Sequence, residues 1–185
     1  MKFTDQSNLV DLIQGCSSKN RLAQKYLYKR LYSPMFGVAM RYSKDEDMAA
    51  NILNMAFLKV FKKIDSFSGE GHFEAWVRRI IVNTALDEIR KNKKHNNHLQ
   101  IEDIQEPSLQ ESILDKLRAE DLLKTIQQLP DTTRTVFNLY HIEGYKHHEI
   151  AKQLQIPEGT SKWHLSQGRK ILKEKLANYF TETNA

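Results

Sequence analysis

The chain has 185 residues, 40% of them hydrophobic, with a formal net charge of +5. That apolar content supports packed cores and excludes a disordered polypeptide, while only seven Gly and four Pro favour long helices over a turn-rich all-β fold. A single cysteine, Cys16, excludes an internal disulfide and a thiol-rich zinc site.

The charge is unevenly placed. Lys and Arg outnumber Asp and Glu by 17 to 10 over residues 1–95 and by 11 to 9 over residues 113–185, whereas residues 96–112 carry four acids and no base. Two basic modules flanking an acidic connector predict two domains and a linker. The opening MKFTDQSNLVDLIQGC lacks the apolar run of a signal peptide, and nothing approaches the ~20 apolar residues of a membrane span. The expectation is a soluble, cytoplasmic protein without membrane insertion.

In chain order, Leu9, Leu12 and Ile13 predict a short amphipathic helix stopping near Gly15, with Ser17, Ser18 or Asn20 capping the next. That second helix carries Leu22, Ala23, Tyr26, Leu27 and Leu31; Ser33-Pro34 punctuates it and opens a new stretch through Tyr42. Asp45 to Ile64 is predicted as one long helix, with Asp45, Glu46 and Asp47 in the first turn, where the helix dipole favours acids. Asp65 to Gly71 is a loop, and a second long helix runs from about His72 to Lys93 on a stripe of Val77, Ile81, Ala85 and Ile89. Residues 95–112, polar and with Pro107, form the linker. Helical periodicity resumes at Ile113 and Leu117, breaks at Pro130, and restarts with Asp131 or Thr132 as cap, ending near Gly144. Two helices split by Pro157-Glu158-Gly159 close the chain. The fold class is all-α: two helical domains, 1–95 and 113–185, joined by a flexible acidic linker at 96–112.

The last two helices carry the first functional signal. Ile150, Ala151 and Leu154 form the inner face of the first; Leu165, Gly168, Leu172 and Leu176 form a stripe on the second. The other side of the second helix shows Lys162, Trp163, Ser166, Gln167, Arg169 and Lys170. A short helix, a tight turn and a helix exposing polar and basic side chains describe a helix-turn-helix that lays its second helix in the major groove. The competing reading is a packed helix pair with a solvated basic face. From Leu129 to Leu172 the sequence resembles region 4 of the extracytoplasmic-function (ECF) sigma factors: a Leu-Pro pair, Arg-x-Val-Phe, Gly-Tyr, Glu-Ile-Ala and Gly-Thr-Ser-Lys. The resemblance implies readout of a minus-thirty-five promoter element by Thr160, Ser161, Lys162, Trp163, Ser166, Gln167 and Lys170. The chain departs from the family at Trp163, usually small, and at Gln167-Gly168, usually Arg-Ala.

The second signal lies at 61–94. Trp76, Arg79, Asn83, Asp87 and Arg90 share one helix face opposite the apolar stripe. An aromatic and basic stripe beside a Gly-containing loop suits unpaired DNA, whose bases stack on rings while cations hold phosphates. The plainer roles are a core anchor for Trp76 and an intrahelical partner, Arg90 or Lys91, for Asp87. The segment resembles ECF regions 2.3 and 2.4, with Phe-x-Gly, a Trp, Asn-Thr-Ala and Asp-x-x-Arg. That implies a base-capturing loop for the minus-ten element built from Asp65, Ser66, Phe67, Ser68, Gly69, Glu70 and His72, with Arg79, Asn83 and Arg90 along the strand.

The helix 45–64 corresponds to region 2.2, which in the family docks on polymerase. Asn51, Ile52, Asn54, Met55 and Leu58 are the implied polymerase-binding residues. The family's carboxylates are absent from Ala50–Met55, and neutral hydrogen bonds are roughly half as strong as charge-assisted ones, so weaker or altered core binding is expected.

His95/His98 and His147/His148 lack a third ligand of suitable type, so no metal is expected. No P-loop, Ser-His-Asp spacing or dinucleotide fingerprint is present; neither enzyme activity nor a cofactor is expected. The partners implied are bacterial RNA polymerase core, promoter DNA and an anti-sigma or other regulatory protein. Three readings stand: an alternative sigma factor, a free-standing helix-turn-helix regulator, and a sigma-like adapter for a regulatory protein.

Overall fold

A computed structural model describes residues 3–93 and 119–183. The described residues are helical, with no strand among them. The chain divides into two compact units, Met1–Asp87 and Glu88–Ala185. The division falls inside a helix; the expected linker at 96–112, with Ile113 and Leu117, lies outside the described residues.

In the first unit, α1 spans Leu9–Ser17 and α2 Arg21–Met40. Asn8 caps α1 by accepting from the Asp11 N–H, and Asn20 caps α2 by accepting from the Leu22 and Ala23 N–H groups. Gly15 does not stop α1. It lies inside the helix, where an added Cβ would stand 2.5 Å from the Phe3 ring and 2.6 Å from Ala23 Cβ. Only a residue without a side chain allows that approach.

Pro34 does not divide α2 either; the helix continues through it. Its exposed position leaves the carbonyl released four residues earlier on the wet side of the helix. The helix holds because Leu27, Leu31, Met35 and Val38 bury the other face, each large apolar side chain contributing about 1.5–3 kcal/mol.

α3 spans Glu46–Lys63, with Asp45 as N-cap, and packs on α2. A 3-10 turn, Ile64–Ser66, packs against α1 and α3. α4 spans Phe73–Lys93. It buries the expected Val77, Ile81, Ala85 and Ile89, and also Phe73, Val82 and Leu86, a broader apolar face than one four-residue stripe. Lys59 of α3 and Asp87 of α4 form an ion pair at 2.9 Å, so Asp87 bonds across helices.

The second unit holds α5 (Ala119–Gln127), α6 (Asp131–His141), α7 (His147–Leu154) and α8 (Glu158–Thr183). α6 and α7 pack on α8, with α5 against it. Neither Asp131 nor Thr132 caps α6; Pro130 takes that place, without a side-chain cap. The Asp131 carboxylate is turned instead to Arg134 Nη2, 2.6 Å away, while Arg134 Nη1 donates to the Gln127 carbonyl at 2.6 Å. This guanidinium, 1% exposed, ties the end of α5 to the start of α6.

Candidate nucleic-acid interface

The α7–α8 pair is a helix-turn-helix. Its turn is Gln155-Ile156-Pro157, with Gln155 left-handed at φ 53° and both the Gln155 and Ile156 N–H groups donating to the Ala151 carbonyl. The sequence drew the eye to Gly159, but Glu158 and Gly159 belong to the first turn of α8. Pro157 therefore precedes the helix, and neither Thr160 nor Ser161 starts it.

Ile150, Leu154, Leu165, Leu172 and Leu176 form the buried seam. Gly168 lies on it: an added Cβ would come within 3.2 Å of Thr133 Cγ2 and 3.5 Å of the Phe137 ring. Glycine at this position lets α8 pack closely on α6.

Two polar pairs lock the helices. Thr133 Oγ1 and His164 Nδ1 are hydrogen-bonded at 3.0 Å, and His147 Nδ1 and Ser161 Oγ at 2.9 Å. The His147 ring stacks on Tyr140, centroids 4.8 Å apart. The Arg169 guanidinium lies over the same Tyr140 ring at 5.9 Å. Burial, and then the Arg169 charge, lower the His141 pKa.

Burial revises two expected duplex contacts. Ser161 is fully buried and Ser166 is 3% exposed, so neither faces outward. Ser161 shares its face with His164, Leu165 and Gly168, at helical spacings of three, four and seven. A hydroxymethyl group such as that of Ser166 reaches barely past the helix backbone. Lys162 and Lys170 are exposed; Thr160, Trp163 and Gln167 are half-buried. Lys162 pairs with Glu158 at 3.0 Å. The Trp163 ring meets His164 edge-on at 4.8 Å. Trp163 Nε1 and Thr160 Oγ1 are buried without a partner among the described residues.

In the first unit, the 3-10 turn and loop 65–71 lead into α4. Gly69 (φ 79°) and Gly71 (φ 80°) take left-handed backbone, which a side chain would strain. Asp65, Ser66, Ser68, Gly69, Glu70 and His72 are all exposed. Ser66 Oγ donates to the Lys63 carbonyl at 2.7 Å, and the Glu70 N–H to Ser68 Oγ at 3.3 Å. Beneath the loop, Phe67 packs on Phe73 and Trp76, with centroids 5.1 and 5.8 Å away, while Phe73 and Trp76 stack at 5.5 Å. Trp76 is half-buried in this cluster. On the same face of α4, Arg79 and Asn83 are exposed and Arg90 half-exposed.

The α3 surface divides differently. Asn51, Asn54 and Leu58 are exposed, Leu58 at 71%, and Met55 is half-buried. Ile52 is fully buried with Leu53, Ala56 and Val60; contrary to the expectation for a polymerase-binding residue, it belongs to the core. Asn54 Oδ1 accepts from the Tyr28 hydroxyl at 2.9 Å, so one of the two replacement amides is already engaged by α2. No group of three or more metal-ligating side chains occurs among the described residues, and no described helix is long and apolar enough to cross a membrane.

Comparison with known proteins places these surfaces in a family. Residues 27–95 match the model "Sigma-70 region 2", and residues 119–172 match "Sigma-70, region 4". The chain is 36% identical over 141 residues to the ECF RNA polymerase sigma factor SigW of Bacillus subtilis, covering 69% of this chain and 75% of that one. It is 28% identical over 191 residues to the ECF RNA polymerase sigma-E factor of Haemophilus influenzae, covering 95% and 96% of the two chains. The sigma factor RpoE of Bartonella quintana, solved with the anti-sigma factor NepR, aligns at 21% identity and a TM-score of 0.49 over 83% of this chain and 96% of that one. The chain belongs to the ECF sigma factors of RNA polymerase.

Proposed function

We propose that this alternative sigma factor, which directs promoter-specific transcription initiation, divides the promoter between its two units. The C-terminal unit reads duplex DNA at the minus-thirty-five element through α8. Lys162, Trp163, Thr160 and Gln167 approach base edges, and Lys170 the phosphates. The N-terminal domain, residues 1–95, holds the unpaired minus-ten strand at loop 65–71, with Arg79, Asn83 and Arg90 along it. The exposed face of α3, Asn51, Asn54, Met55 and Leu58, meets the polymerase core. An anti-sigma or other regulatory protein is a further partner. Residues 1–95 and 113–185 act as the two domains, 96–112 as their connector, in a cytoplasmic, non-catalytic factor.

The observation that carries this reading is the loop at 65–71, exposed at its tip and propped on Phe67, Phe73 and Trp76. A regulator that binds only duplex DNA has no use for such a loop. In vitro transcription with purified core polymerase is the test, and promoter-specific transcripts are expected. DNA binding without transcripts would point to a free-standing regulator. Retention only by an anti-sigma-type protein would point to an adapter.

A further inference from the structure

The family signature does not account for His147 and His148. They stand in the first turn of α7 and face the first turn of α8. His147 is fixed there by the Ser161 hydroxyl at 2.9 Å and by the Tyr140 ring. His148, beside it, is exposed. Glu158 also lies at this end. Its carboxyl is held below the usual carboxylate range first by the hydrogen bond from Lys162, then by the Lys162 charge, and in smaller part by His148 and His147. The two imidazoles, Lys162 and the start of the recognition helix thus occupy one end of the motif.

In a docked helix-turn-helix that end meets DNA. The N-terminal residues of the second helix approach base edges while the first helix crosses the backbone, so side chains on the first turn of α7 come against phosphates. A neutral imidazole offers a phosphate at most one N–H; a protonated one offers two and a positive charge. Histidine is the side chain whose charge ordinarily changes between about pH 5 and pH 8.

We propose that His147 and His148 contact the phosphate backbone of duplex DNA, and that their protonation tightens duplex binding. The proposal rests on α8 being the duplex reader. The groups around the pair are Tyr140 from α6, and Ser161, Glu158 and Lys162 from α8, with His141 and Arg169 against Tyr140. Lys146 and Glu149 adjoin it on its own helix. Among the α8 groups and the residue over Tyr140, Glu158 is the acid and Lys162 and Arg169 are the bases. The duplex adds a row of anions that shifts the balance toward protonation, so binding strengthens as pH falls.

The test uses the full chain and a labelled random-sequence duplex of about 30 base pairs, because backbone contacts do not depend on sequence. Affinity is measured against salt at about pH 5.5 and about pH 8, on either side of the ordinary imidazole transition. Each added phosphate contact steepens the slope of log K against log salt by about 0.9, so the wild-type slope should steepen by one to two such steps at the lower pH. His148→Gln, at an exposed position that does not threaten folding, should lose one step. The His147→Gln/His148→Gln double variant should lose the pH dependence, and His98→Gln should keep it. A wild-type slope equal at both pH values, or a pH effect surviving in the double variant, overturns the proposal. Absence of duplex binding at both pH values overturns the reading of α8 as well.

Discussion

The two surfaces proposed to meet DNA are held up in different ways. Loop 65–71 is braced from below by three aromatic rings, while its tip, with two left-handed glycines, is exposed. The α8 surface is braced by side-chain hydrogen bonds, Thr133 to His164 and His147 to Ser161, with Arg134 fixing the corner beneath α6. Ring packing is adaptable in direction, and hydrogen bonds are not. A loop that closes around a base already taken out of the stack can adjust to it. A helix that reads base edges in an intact groove must arrive with its register fixed. The contrast separates capture of a flexible strand from readout of a stiff duplex.

The sharpest way to break the comparison is Arg134→Met. It removes both guanidinium bonds and leaves the Gln127 carbonyl without that donor, which should cost the C-terminal unit about 3 kcal/mol. Each described unit carries one tryptophan, Trp76 or Trp163, so fluorescence-monitored denaturation of Trp76→Phe and Trp163→Phe backgrounds follows the units separately. Only the Trp163 transition should move to lower denaturant; equal movement of both would show that the units do not unfold independently.

Phe67→Ala comes next. It deletes two ring contacts, each worth about 1 kcal/mol, and should lower open-complex formation by up to about thirtyfold. Duplex binding should be unchanged, so permanganate reactivity of the opened strand and electrophoretic mobility shift on duplex DNA should part company.

The third change concerns α3. Asn51→Asp with Met55→Glu restores acids at an exposed and a half-buried position, and charge-assisted bonds are about twice as strong as neutral ones. Affinity for core polymerase should rise several-fold; unchanged affinity would mean that this face does not carry the contact.

Gly168→Ala should have the smallest effect. Helix propensity favours the change by about 1 kcal/mol, and the approach to Thr133 Cγ2 at 3.2 Å opposes it. Thermal melting should show a shift of no more than a few degrees, consistent with less than about 1 kcal/mol. A large destabilisation would mean that Thr133, held by His164, cannot give way.

Much of this was legible in the sequence because helix signals are local. Asn20 was readable as one of three candidate caps, Asp45, expected in the first turn of α3, stands one place earlier as its cap, and the limits of α3 and α4 lie within a residue or so of those expected from periodicity. What escaped depends on the third dimension. Pro34 reads as a break until its place on the exposed face of α2 is known. Gln155 carries no mark of a left-handed turn, while Gly159 attracts that role without filling it. Ile52, Ser161 and Ser166 were assigned to surfaces by resemblance, but one chain's pattern resolves a helix face only to about 100° of arc. Small polar residues are the hardest to place, since a buried serine locked to a histidine and a serine in water look alike in one dimension. The Lys59–Asp87 pair escaped for a related reason, as its members lie 28 residues apart and each has closer candidate partners.

The approach of Phe3 to Gly15 bears on how the protein is handled at the bench. Phe3, 8% exposed, has its ring within side-chain reach of Gly15, which itself lies close to Ala23 of α2. The third residue is therefore part of the first unit's core. An affinity tag fused directly ahead of it, or expression from a later start codon, acts on the seam between α1 and α2. Tags belong on the other end of the chain, or behind a spacer long enough to leave that ring where it is.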